Sequence, residues 1–180
     1  KYISVQEEMI GETISQTGEV RPRYETAMSF RLDGLMDFRV DAGTIVKTGD
    51  VVASVDKTPS ENNVATAVAN LNSARVAVDI AELNAKRNWE LFAKSVVSQA
   101  QTQQADANLQ TAKAQFDAAT TALANAKLAL SYTELKAERD GIISAVGANQ
   151  GQVVAAGQMV VTLISDKERD AVFDIPEQVF

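Results

Sequence analysis

The stretch FRLDGLMDFRVDAGTIVKTGDVVASVD, residues 30–56, has short apolar alternations punctuated by glycines at 34, 43 and 49. That is the pattern of strands joined by tight turns. Residues 137–166, AERDGIISAVGANQGQVVAAGQMVVTLISD, repeat it. Asp33-Gly34 corresponds to Asp140-Gly141, Gly43 to Gly151 and Gly49 to Gly157, with one extra residue in the second copy. Val46 matches Val154, and Val55 matches Leu163. A half-motif repeated on both sides of an unrelated insert predicts two pseudo-symmetric β halves packed as one domain.

The insert is helical. Val64, Leu71, Val78, Ala85 and Phe92 lie seven apart, with Ala67, Ala74 and Ala81 three residues after the first of each pair. Leu109, Phe116, Leu123 and Leu130 repeat the spacing, with Ala112, Ala119 and Ala126 between them. Both runs are a/d seams in which a large residue alternates with alanine, so two helices can approach closely and interdigitate. Each run covers roughly 35 residues, a rod of about 50 Å at ~1.5 Å per residue. With a short link between them the rods are antiparallel neighbours. Thr58, Pro59 and Glu61 read as N-cap, first helical residue and capping-box partner of the first helix.

Composition narrows the chemistry. The 180 residues include no cysteine and no histidine. That excludes thiol nucleophiles, disulfides, Ser-His-Asp triads and zinc sites built on those ligands. The acidic residues form no constellation: Asp33, Asp41, Asp50 and Asp140 sit near glycines, where turn chemistry accounts for them. No enzyme activity, cofactor or metal is expected, and the four scattered methionines (9, 28, 36 and 159) suggest no soft-metal cluster. The net charge is −7, and residues 58–131 are neutral, with six basic and six acidic side chains. An acidic chain without a basic stripe argues against nucleic acid as a partner. No window approaches the ~18 to 20 continuous apolar residues of a membrane-spanning helix.

A lipoyl-like β motif split by a helical hairpin resembles the periplasmic adaptor, or membrane fusion protein, family of tripartite efflux systems. The resemblance rests on the two half-motifs and the hairpin between them, and the resistance-nodulation-division (RND) type fits the hairpin length and the FRLDG motif best. One departure is that Glu138-Arg139 follow Ala137, where the family usually has proline. The fold class implied is α+β: a lipoyl-like β-sandwich split by a long antiparallel α-helical coiled-coil hairpin, with part of an adjoining β-barrel. The division expected is a partial barrel over 1–26 and 166–180, the split lipoyl-like domain over 27–57 and 132–165, and the hairpin over 58–131. Residues 14–25 and 170–180 look like the barrel pieces.

The resemblance also implies partners: an inner-membrane efflux transporter, an outer-membrane channel, and further copies of the chain in a ring, hexameric in the full pump. The expected location is the periplasm, with attachment to the inner membrane through segments outside this chain. The adaptor of an ABC-type exporter is an alternative. So is a lipoyl or biotinyl carrier with Lys57 as the modified lysine, although Lys57 runs straight into a helix where a carrier needs a protruding turn.

The stretch RNWELFAKSVVSQ, residues 87–99, interrupts the helical pattern without glycine or proline. In the family the hairpin tip carries Arg, Leu and Ser at the spacing R-x3-L-x6-S for docking onto a partner, and Arg87, Leu91 and Ser98 match it. The seam adds a reading of its own. Asn88 continues it at d and Phe92 at a, which leaves Leu91 off the seam at g and Arg87 at c. A large apolar residue off the seam near a free end, with Val96 and Val97 beyond, is the kind of surface that binds partners. Ser98 with Gln101 also reads as a capping box for the second helix.

Overall fold

A computed structural model describes residues 17–173. The half-motif repeat appears in it as internal symmetry. The first half forms β2 (Glu25–Ser29), β3 (Gly34–Arg39), β4 (Ile45–Val46) and β5 (Val51–Val55). The second half forms β6 (Glu134–Lys136), β7 (Gly141–Val146), β8 (Val153–Val154) and β9 (Met159–Ile164). Neither half makes a sheet alone. One sheet has the order β2-β9-β7-β4 and the other β6-β5-β3-β8, so each takes two strands from each half. The short strands β4 and β8 are exchanged, β4 pairing with β7 and β8 with β3.

The turn hydrogen bonds repeat the same exchange. Gly43 donates to the Ile143 carbonyl (2.7 Å), and its counterpart Gly151 donates to the Met36 carbonyl (2.8 Å). Asp140 accepts from the Thr48 backbone N–H (2.8 Å), and Asp33 accepts from that of Ala156 (2.7 Å). Gly43 and Gly151 have φ of +88° and +79°, a left-handed region closed to most side chains, which is why the glycine spacing was readable. Gly141 is required for a different reason: a Cβ there would lie 2.3 Å from the Ile164 carbonyl oxygen.

Between the sheets lies one apolar core that includes Phe30, Met36, Val46, Val52, Val55, Ile143, Val154, Val160, Val161 and Leu163. Equivalent residues of the two halves both enter it, notably Met36 and Ile143, and Val46 and Val154. Burying each large member contributes about 1.5–3 kcal/mol. The core draws on both halves, so neither half buries these residues alone.

The insert is α1 (Thr58–Ala93) followed by α2 (Gln99–Ser131). The heptads set the packing: Val64, Ala67, Leu71, Ala74, Val78, Ala81, Ala85 and Asn88 are shielded positions of α1, joined by Ser60 at the foot, Ala77 beside the seam and Leu91 near the tip. On α2 the shielded series runs Thr102, Ala105, Leu109, Ala112, Phe116, Ala119, Leu123, Ala126 and Leu130. Most are half-buried, as expected of two helices with no third neighbour. Among the described residues, neither helix is long and apolar enough to cross a membrane.

The foot of the hairpin departs from the expected cap. α1 starts at Thr58 with Lys57 as N-cap, and no N-cap side chain closes it. Instead Asp56, one residue earlier, accepts from the Thr58 backbone N–H at 3.0 Å. The Glu61 N–H, from which a Thr58 cap would accept, is bonded instead to the Lys57 carbonyl at 2.9 Å, so Thr58 already lies inside the helix and the carboxylate upstream takes the free N–H of Thr58. Lys57 is ion-paired with Glu134 of β6, Glu134 also pairs with Lys136, and the Arg31 guanidinium lies 5.0 Å over the ring of Tyr132, the α2 C-cap. The hairpin is thus tied to the sandwich at both of its roots.

Outside the sandwich, β1 (Gly18–Pro22) and β10 (Arg169–Phe173) pair as an antiparallel two-stranded ribbon. The rest of the expected barrel segments, residues 1–16 and 174–180, lies outside the described residues.

Candidate docking tip

The link between the helices is five residues long, Lys94 to Ser98. Glycine is absent because Ser95 takes the left-handed conformation itself, with φ of +58°. The Ser95 N–H donates to the Phe92 carbonyl (2.8 Å) and the Val96 N–H to the Leu91 carbonyl (2.9 Å). These are the two bonds of a Schellman motif, which satisfies the last carbonyls of α1. Ser98 then starts α2 with extended backbone (φ −77°, ψ 158°). Its hydroxyl accepts from the Gln101 N–H (3.3 Å), and the Gln101 side-chain oxygen accepts from the Ser98 N–H (3.0 Å), so the expected capping box is present.

Arg87 is exposed and makes no ion pair with another described residue. Leu91 and Phe92 differ from the heptad expectation. Leu91 is the half-buried one, whereas Phe92 is 37% exposed. Two causes act together. The Schellman turn folds Val96 back over the turn that carries Leu91. On the other side, this level of the hairpin is lined by Thr102 and Ala105, 1% and 8% exposed, and helices that close leave the phenyl ring on the flank.

Phe92 packs there edge-on against Trp89, with ring centroids 6.0 Å apart and planes at 88°. Trp89 is itself fastened across the hairpin: its indole N–H donates to both carboxylate oxygens of Asp106, at 3.0 and 3.2 Å. The heptad pattern gives Trp89 no partner across the hairpin, and this bond is not legible in it. Reflection about the turn was the available signal, because 89 and 106 are equidistant from the midpoint between Val97 and Ser98.

The tip is also charged unlike the rest of the chain. Residues 86–98 carry three of the hairpin's six basic side chains and one of its six acidic ones. No catalytic arrangement accompanies these groups, and among the described residues no set of three or more acidic side chains could hold a metal ion. The tip can offer hydrogen bonds from Arg87, apolar contact and a positive field.

Comparison with known proteins places the hairpin. The family model described as "RND MFP, alpha-helical hairpin domain" matches residues 63–133. The chain is 24% identical over 162 residues to nodulation protein NolF of Rhizobium meliloti (strain 1021), covering 89% of this chain and 44% of that protein. It is 25% identical over 175 residues to multidrug resistance protein MdtA of Proteus mirabilis (strain HI4320), covering 96% and 43%. The chain therefore spans less than half the length of these curated relatives. Among solved structures it is similar to a MacA–MexA chimera containing the Pseudomonas aeruginosa MexA α-hairpin domain. That match has a TM-score of 0.60 and 25% identity, covering 90% of this chain and 55% of the chimera.

Proposed function

We propose that this chain, whose hairpin is that of the RND-associated membrane fusion proteins, is the reaching part of a periplasmic adaptor that bridges an inner-membrane efflux transporter to an outer-membrane channel. The sandwich with its two tied roots is the base, and the hairpin is the arm. The β1–β10 ribbon is the start of an adjoining barrel domain, which with the sandwich gathers copies of the adaptor into a hexameric ring on the transporter.

The observation that carries this reading is the construction of the tip. A rod of about 50 Å ends in a turn whose backbone groups are closed internally by the Ser95–Phe92, Val96–Leu91 and Ser98–Gln101 bonds. These bonds fix the turn and so hold the side chains around it in place for recognition. Arg87 is then free to donate its planar fork to carboxylate or carbonyl acceptors of the channel. Leu91 lies about one helical turn nearer the end on the same side of α1, and Ser98 opens α2 beyond the link. The placement of Lys57 in an ion pair with Glu134 at the root of α1 supports an adaptor over a carrier domain.

The test is drug susceptibility of cells expressing the Arg87→Asp, Leu91→Ser double variant at wild-type level. Loss of efflux with the protein folded is the expected result; undiminished efflux would reduce the tip to an ordinary helical turn.

A further inference from the structure

We infer that Trp89 and Phe92 form a second recognition flank of the tip, and that the tip is held in a slot of an acidic protein surface, the periplasmic end of the channel, with an apolar wall facing these rings. The inference rests on the docking role proposed above and adds the chemistry of the partner.

The geometry of α1 separates two flanks. At ~100° per residue, Arg87 and Leu91 lie about 40° apart on one side of the helix, and Trp89 lies about 160° from Arg87 on the other. A partner touching only the Arg87 side would leave the aromatic side in water. Yet Trp89 is 52% exposed and Phe92 37% exposed, and their rings are fixed against each other at 6.0 Å. The indole N–H is already given to Asp106, so the flank offers apolar ring surface and no free donor. Rigid, pre-ordered aromatic rings lose little entropy on binding, which makes them effective anchors.

Charge identifies the kind of surface. Lys86, Arg87 and Lys94 stand against Glu90 in residues 86–98, while the whole chain is at −7. Asp106, level with Trp89 on α2, keeps its negative charge while accepting from the indole, so the facing levels 86–109 carry three basic and two acidic side chains, a small positive excess. A second copy of the same tip would meet it with like charge, which disfavours tip-to-tip self-association. An acidic partner with an apolar recess satisfies both flanks at once.

The experiment measures binding of the full chain to two probes: the purified outer-membrane channel protein of the same organism, and vesicles of phosphatidylethanolamine and phosphatidylglycerol. Phe92→Ser and Trp89→Ser are compared with Arg87→Asp and with Leu83→Ser on the exposed shaft. Expected is a loss of channel affinity of about tenfold or more for each of the first three variants. Leu83→Ser should show none, and wild-type affinity should fall as salt rises. Phe92→Ser breaks no hydrogen bond and loses only the edge-on packing on Trp89, so its melting temperature should fall slightly while the hairpin stays folded. Wild-type channel affinity in both aromatic variants, with loss only in Arg87→Asp, overturns the aromatic flank and leaves the docking proposal standing. Failure of the wild-type chain to bind the channel overturns both. Aromatic variants that lose vesicle binding while keeping channel binding would assign the flank to a lipid surface.

Discussion

The Val96 N–H donates to the Leu91 carbonyl at 2.9 Å, joining the last turn of α1 to the loop that follows. Leu91 thus does two jobs with different atoms: its backbone closes the helix, and its side chain stands at the proposed docking position. Substitutions that keep the backbone bond separate the two roles. Arg87→Asp and Leu91→Ser should each leave thermal unfolding within about 1 kcal/mol of wild type, since neither deletes a fully buried side chain. Docking should fall roughly ten- to hundredfold for either. Calorimetry beside a drug-susceptibility assay separates these effects; parallel losses of stability and efflux would show that Leu91 is a structural residue only.

Ser95 holds φ of +58° without being glycine. A left-handed conformation costs an ordinary residue about 1–2 kcal/mol. Ser95→Gly should therefore raise hairpin stability by up to about 1 kcal/mol after the added freedom of the unfolded chain is counted. Ser95→Val should lower stability, because a β-branched residue fits this region poorly. Urea unfolding of the two variants is the check.

Ser98 and Gln101 cap α2 reciprocally. Ser98→Ala should destabilise the hairpin by about 1 kcal/mol, whereas Ser98→Asp should retain most of the stability because an aspartate oxygen can accept the same N–H. Efflux that follows the melting temperature across both variants would mean that Ser98 acts through the cap alone.

Leu123 is half-buried on the seam of α2 and Lys113 is exposed. Leu123→Asp should cost about 2 kcal/mol or more by placing an unpaired charge between the helices. Lys113→Gln should stay within about 0.5 kcal/mol of wild type. Helix content followed by circular dichroism on heating distinguishes them, and equal melting of the two variants would show the register of the seam to be wrong.

Acid should weaken the sandwich and its junction with the hairpin. Hydrogen bonds from the backbone N–H and hydroxyl of Thr48 hold the Asp140 carboxyl below its ordinary range. Hydrogen bonds from Lys57 and then Lys136 do the same for Glu134. For a carboxyl whose folded pKa is depressed, the stabilisation is complete above its unfolded value, about 4, and is lost as pH falls through the lower folded value. Stability should therefore drop below about pH 4. The drop should be shallower in Asp140→Asn and Glu134→Gln, which start from lower stability at neutral pH. An acid limb unchanged in both variants would remove these carboxyls from the account.

Features that depend on local periodicity and backbone conformation were legible in the order of the residues. Glycines at 43, 49, 151 and 157 announce positive φ, so the repeat and its turns were legible, and the seven-residue spacing from Val64 to Asn88 named the buried face of α1. Ser98 and Gln101 announced their cap because a capping box lies within four residues. Only the tertiary structure decided what depends on residues far apart in the chain. The exchange of β4 and β8 between sheets follows from packing two halves around one core, and no pattern within a half encodes it. Leu91 rather than Phe92 turned inward because a loop and a facing helix compete for space at the tip. Trp89 reached Asp106 because the turn happens to be centred between Val97 and Ser98, and a shift of that centre by one residue would rotate the facing positions apart.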